Sequence, residues 1–224
     1  MRIALGVLGV LVAVLVGAQL FLPGIAARRA RERVGRYGTV LSAHVSAVPA
    51  IELLWGHGDS GSVAAGSLSL TSAQGVDLLW EGRGIADTQL TAGSMQVEGV
   101  RLRAVSVRKR GSAVVVEGTM SESDLSGALP LGLEVHSLTD AGGHVLAQAT
   151  GSVLGVSATV QVDIHAEEGR LVAEPQGLGL AGLATVTVFS DPRLRMGSVD
   201  VTPLASTGGP PSLRIVLRGT LVGS

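Results

Sequence analysis

Residues Val156-Ser-Ala-Thr-Val-Gln-Val-Asp-Ile-His165 alternate apolar and polar side chains without an error. A period of two marks a strand with one buried and one wetter face. Leu213-Arg-Ile-Val-Leu-Arg-Gly-Thr-Leu221 nearly repeats the pattern, and shorter alternations cover residues 43–47, 97–104, 145–149 and 184–188. Strands with one wetted face belong to antiparallel sheets. Lys109-Arg-Gly-Ser112, Ala141-Gly-Gly143 and Glu167-Glu-Gly169 read as hairpin connections. Between Leu102 and Val105 the apolar phase slips by one residue, which predicts a bulge.

Helical signals are sparse. Ser121-Glu-Ser-Asp124 has capping-box spacing ahead of Leu125, Ala128 and Leu129, and Pro130 stops the turn. Residues 75–82 predict another short helix, while residues 49–56 read as either helix or buried strand. The pattern thus predicts an α+β fold: a mainly antiparallel sheet with a few short helices.

The N-terminus breaks this pattern. Ile3 to Leu22 is a run of 20 residues without a charge, ended by Pro23-Gly24. As a helix it spans roughly 30 Å, the thickness of a bilayer core. It reads as a transmembrane anchor, with a cleaved signal peptide as the alternative. Over residues 23–37, Ala26, Ala30, Val34 and Tyr37 recur at helical spacing among Arg28, Arg29, Arg31, Arg33 and Arg36. This segment reads either as an amphipathic helix on anionic headgroups or as a solvated helix whose thin stripe packs on the body. Residues 38–224 form the remaining domain.

Charge sharpens the division. The net charge of −1 joins a leader with six arginines and one acid, Glu32, to a body with 11 basic and 17 acidic residues. By the positive-inside rule the arginines after the span would hold the body in the cytoplasm. An acidic body with five aromatics argues against nucleic acid. The absence of cysteine excludes disulfides, thiolate metal sites and a cysteine nucleophile. What remains is aliphatic: 46% hydrophobic residues with 2% aromatic, and 32 glycines. Such stripes either close as a packed core or line an acyl-chain groove.

Two motifs invite a chemical reading. Gly58-Asp-Ser-Gly61 matches the tetrapeptide around a serine-protease nucleophile, and His44 lies upstream. A triad needs an orienting acid and a large two-barrel fold, so a tight polar turn explains the motif better. Asp163-Ile-His165 offers two ligands on one strand face but no third nearby in sequence, so no metal or other cofactor is expected. His165 is expected to face water. Arg101, Arg103, Arg108, Lys109 and Arg110 cluster on one strand and its hairpin, where they would meet phosphate or balance the acidic body.

Several blocks together resemble the LmeA-like family of actinobacterial phospholipid-binding proteins. They are Leu22-Pro-Gly-Ile-Ala-Ala-Arg-Arg-Ala-Arg-Glu-Arg-Val-Gly-Arg-Tyr37-Gly, Pro49-Ala-Ile-Glu-Leu-Leu-Trp-Gly56, and Val100-Arg-Leu-Arg-Ala-Val-Ser-Val-Arg-Lys109 leading into Ser121-Glu-Ser-Asp-Leu-Ser-Gly-Ala-Leu-Pro130. Gly155-Val-Ser-Ala and Leu183-Ala-Thr-Val-Thr-Val-Phe-Ser-Asp-Pro192 complete the set. The resemblance implies a tubular lipid-binding fold, in which a long curved sheet wraps short helices and acyl chains lie between them. It implies a non-catalytic envelope protein that is anchored or secreted, with an extracytoplasmic body. Its partners would be membrane phospholipid and an anionic membrane surface, and its role would support envelope lipid or lipoglycan metabolism.

On this reading the acyl chains meet Leu53, Leu54, Trp55, Leu78, Leu79, Leu125 and Leu129, from the non-strand segments. Headgroups or the membrane surface meet Arg28, Arg29, Arg31, Arg33, Arg36, Arg101 and Arg103. Burying about 12 methylenes supplies roughly 10 kcal/mol gross, without any chemistry. The alternative is an anchored structural or scaffold β-domain that binds envelope partners.

Overall fold

The computed structural model describes residues 22–48, 50–121, 123–124, 134–140, 142, 144–153, 156–176, 186–204 and 212–223. Strands dominate. β1 (Gly38–Ser46), β2 (Gly58–Leu70), β3 (Ile85–Val97), β4 (Val100–Arg110) and β5 (Ala113–Ser121) come first. They are followed by β6 (Glu134–Asp140), β7 (His144–Val153), β8 (Val156–Glu167), β9 (Arg170–Gln176) and β10 (Val186–Phe189). β11 (Leu194–Leu204) and β12 (Ser212–Leu221) complete the chain. One sheet has the order β1-β2-β3-β4-β5-β12-β11 and the other β10-β9-β8-β7-β6. β11 lies against β6, β7, β8 and β9, so the two sheets share an interior.

The expected α+β class, mainly antiparallel, is what the structure has, with two sheets where one was expected. One pair departs from the antiparallel rule: β2 and β3 run parallel. A parallel pair needs a crossover, and α2 (Ser72–Glu81) provides it. This helix begins three residues before the expected start because Thr71 and Gln74 form a capping box. The Thr71 hydroxyl accepts the Gln74 N–H at 3.2 Å, and the Gln74 side chain accepts the Thr71 N–H at 2.8 Å. The Thr-x-x-Gln signal stands in the sequence.

Other expectations are corrected in detail. The alternation over residues 97–104 is not one strand, because Glu98 and Gly99, both at positive φ, turn the chain between β3 and β4. Of the two alternatives for residues 49–56, helix is the one realised, as a 3-10 helix (Ala50–Trp55). Gly58–Gly61 is no turn, since it pairs with β1 on one side and β3 on the other. The helix expected after Ser121 is described only at residues 123–124, where the Ser121 hydroxyl accepts the Asp124 N–H at 3.1 Å. Half of the capping box forms: the Asp124 carboxylate takes the Ser121 hydroxyl instead of its N–H.

Two cores flank α2. The first joins Val76 of α2 to Val114, Leu194, Met196, Val199, Val201, Leu213 and Leu221 of the larger sheet and to Val145 and Leu171 of the smaller. The second joins Ala65, Leu68, Ala92, Met95 and Val105 of β2–β4 to Val34. Val34 belongs to α1 (22–34), with Ala26 and Ala30 half-buried and the arginines exposed on its other side. The apolar stripe of this helix therefore packs at its C-terminal end on the body. Fully burying a valine such as Val105 or Val145 stabilises by about 1.5–3 kcal/mol.

The bulge expected near Ala104 is present. Ala104 has φ of 48°, and the β4–β5 register shifts between Arg103 and Ser106. It belongs to a line of irregularities across four strands. Against β1, Gly66 is an extra residue on β2, and Leu41 is an extra residue on β1. Ala65 and Leu68 enter the same core although they stand an odd number of positions apart, and so do Ala92 and Met95. Each strand therefore exchanges its faces at this level. A row of bulges bends a sheet sharply, and here it creases the β1–β4 end.

Candidate functional site

Beyond the crease, the polar faces of β2, β3 and β4 form two transverse rows. Cross-strand register aligns Ser67, Ser94 and Arg103 in one row, and Ser69, Gln96 and Arg101 in the next. Both rows alternate with core residues Leu68, Met95 and Leu102, so they share the outward face. Together with Tyr37 and Gly38, just after α1, they line an open cleft of about 540 Å³. That size accommodates a small polar group. Gly93, Leu68 and Met95 also line it, but none of the described residues expected to meet acyl chains does.

The electrostatics of the cleft favour an anion. Among the described residues Arg101 has no ion-pair partner, while Arg103 reaches Asp124 at 3.6 Å. The Ser121 hydroxyl, 2.6 Å from the Asp124 carboxylate, holds that carboxyl below the usual range, with help from Arg103 and Arg101. Asp124 is thus a resident counter-ion at the cleft edge. Two guanidiniums above a floor of hydroxyl and amide donors suit a phosphate oxygen cluster.

The other basic residues separate. Lys109 is buried and donates to the Ile85 carbonyl; burial pushes its ammonium below its ordinary value, with Asp87 opposing. It is a structural lysine. Arg108 and Arg110 are exposed, and Arg110 lies 3.4 Å from Asp87. On α1, Arg28 pairs with Glu32 and Arg33 with Glu81 of α2, at 3.1 and 2.7 Å. Arg29, Arg31 and Arg36 stay exposed without an ion pair among the described residues.

The apolar candidates do not converge. Leu78 packs against the second core and Leu79 against the first. Leu53 is half-buried beside Gly58. Leu54 and Trp55 are 64% and 67% exposed, near the end of β1 that lies away from the cleft. Leu125 and Leu129 lie outside the described residues, as do residues 3–21 of the apolar run. No helix among the described residues is long and apolar enough to cross a membrane.

Ser60 shares a hydrogen bond of 2.7 Å with Ser46, while the Asp59 carboxylate accepts the Val48 N–H. His44 stands in register with Ser62. Nothing among the described residues assembles these groups into a triad. His165, expected in water, is only 17% exposed at its side chain. It meets Asp163 and His144, which the β7–β8 register brings opposite. That third group was missed because only strand pairing, not spacing, joins residues 144 and 165.

A scan against protein-family models, a search of curated proteins and a search of solved structures each return no match.

Proposed function

We propose that the chain is a membrane-tethered, non-catalytic phospholipid-binding or lipid-transfer protein of the cell envelope. The observation that carries this reading is the double row Ser67–Ser94–Arg103 and Ser69–Gln96–Arg101 beside the arginine-rich helix. The cleft takes the phosphate of a headgroup. The exposed arginines of α1 hold the adjoining surface against anionic lipid, and the apolar run at residues 3–22 tethers the chain.

Phospholipid should accompany the detergent-purified full chain and be released on solvent extraction. With about 1 kcal/mol per basic residue at a membrane surface, Arg101→Ala with Arg103→Ala should weaken vesicle-derived phospholipid uptake about 30-fold. Asp124→Asn, which removes the resident counter-ion, should strengthen it. A chain that carries no lipid, and whose uptake ignores all three substitutions, would refute the proposal. That outcome favours the anchored scaffold, a reading supported by the packing of Leu78 and Leu79 into closed cores.

A further inference from the structure

The smaller sheet carries a cluster that lipid binding does not use. His144 on β7 and His165 on β8 are direct cross-strand partners, and Asp163 stands two residues before His165. Val145, Ile164 and Ala166, which alternate with these residues, pack in the first core. The three side chains therefore share the opposite face of the sheet. One donor atom from each lies within 4.8 Å of the others. His144 Nδ1 is 3.0 Å from Asp163 Oδ2, and His165 Nδ1 is 3.6 Å from Asp163 Oδ1.

Two features of this cluster are unsatisfied as it stands. His165 Nδ1 is buried without a hydrogen-bond partner, which native proteins rarely tolerate. The Asp163 carboxylate is 14% exposed, and among the described residues no lysine or arginine pairs with it. A cation bound between the three groups answers both. It takes the imidazole lone pair and neutralises the carboxylate.

We propose that His144, Asp163 and His165 bind a divalent transition-metal ion, with Zn²⁺ the best fit. Two imidazole nitrogens and one carboxylate oxygen suit zinc, whereas Ca²⁺ and Mg²⁺ seek all-oxygen sets. With metal–ligand bonds of about 2.0–2.2 Å, donors in a tetrahedral site stand roughly 3.4 Å apart. Measured to the single oxygen Asp163 Oδ1, His144 Nδ1 and His165 Nδ1 stand 3.2 and 3.6 Å away, near that value, and all three donors lie within 4.8 Å of one another. Three protein ligands leave the fourth position open to water or an exogenous donor. The ion also pins β7 to β8.

The test is titration of the chelator-stripped full chain in detergent, with Zn²⁺ in competition with a chromophoric chelator and Co²⁺ as a spectroscopic probe. The site should take one Zn²⁺ per chain, ignore excess Ca²⁺, and give the visible bands of four-coordinate Co²⁺. His144→Ala and His165→Ala should each weaken Zn²⁺ binding by at least about 10–100-fold, a cost already seen when only an outer partner of a ligand is lost. Asp163→Asn keeps the shape of the side chain and should lose affinity comparably, which separates ligand loss from misfolding. His57→Ala, at an exposed histidine ahead of β2, should change nothing. Sub-stoichiometric binding, binding indifferent to Asp163→Asn and His144→Ala, or an equal loss in His57→Ala overturns the proposal.

Discussion

The two ends of the larger sheet obey the same alternation rule with different results. In β5 and β12 the inward side chains keep one phase throughout, Val114 and Val116 on one strand and Leu213, Ile215, Leu217 and Leu221 on the other, and only the edge strand β11 slips, between Met196 and Val199. In β2, β3 and β4 the phase reverses once, at Gly66, Gly93 and Ala104. The uninterrupted strands cover a deep core shared with the smaller sheet. The interrupted ones exchange faces and present serine, glutamine and arginine in a cleft. A strand's phase thus sets which residues are buried, and a reversal of phase sets where the sheet turns. The candidate site lies beside that turn, where a continuous ladder gives way.

The comparison is broken most severely at Gly38. A Cβ there would stand 1.9 Å from the Ser67 backbone carbonyl oxygen, and backbone cannot step aside as a side chain can. Gly38→Ala should therefore cost about 3 kcal/mol, the upper end for overpacking. The urea midpoint should fall at unchanged slope, with loss of phospholipid uptake. A near-wild-type midpoint would mean that the β1–β2 end is looser than its register implies.

A smaller and more pointed contrast sets Gly93 against Gly118, which occupy similar levels on creased and uncreased strands. On Gly93 an added Cβ would meet the Gly66 carbonyl oxygen at 2.9 Å; on Gly118 it would first meet a Val105 methyl at 3.4 Å. Gly93→Ala should destabilise by about 1–2 kcal/mol. Gly118→Ala should be neutral, or gain about 0.5 kcal/mol by restricting the unfolded chain. Equal effects in thermal unfolding would remove the crease as a special feature.

The same contrast explains what the sequence allowed to be read. β8 and β12 were legible because valine, isoleucine and leucine alternate there with strongly polar residues. The Ala104 bulge was legible because Leu102 and Val105 are large enough to mark phase on both sides. The Gly66 and Gly93 reversals were not, since Ser-Val-Ala-Ala-Gly-Ser in β2 offers small residues that fit either face. The parallel β2–β3 pair is a matter of partner choice, which alternation does not encode. Of the candidate site, Arg101 and Arg103 were found as neighbours on one strand face. Their companions Ser67, Ser94, Ser69 and Gln96 arrive only through register. Leu78 and Leu79 had the residue type of a groove lining, but α2 spends both on the cores that flank it.

The finest test concerns how α2 is held from its two sides. Toward the creased end, Arg33 of α1 pairs with Glu81 where both side chains are about half exposed. Such pairs contribute about 0–1 kcal/mol. Toward the uncreased end, Arg193 reaches Asp77 of α2 at 2.6 Å and Asp191 at 3.0 Å, and the Asp191 side chain is only 12% exposed. Hydrogen bonds from Arg193 hold the Asp191 carboxyl below its ordinary value of 3.8. A carboxyl depressed in the folded state binds fewer protons there than in the unfolded chain. Its stabilisation is therefore complete above the unfolded value and fades as pH falls through the folded one. Arg193→Gln should lower the urea midpoint at pH 6, and the gap from wild type should narrow by pH 3. Arg33→Gln should shift the midpoint little at either pH. If the two variants respond to acid alike, α2 is clamped equally from both sides, and the contrast between the two ends does not extend to the helix between them.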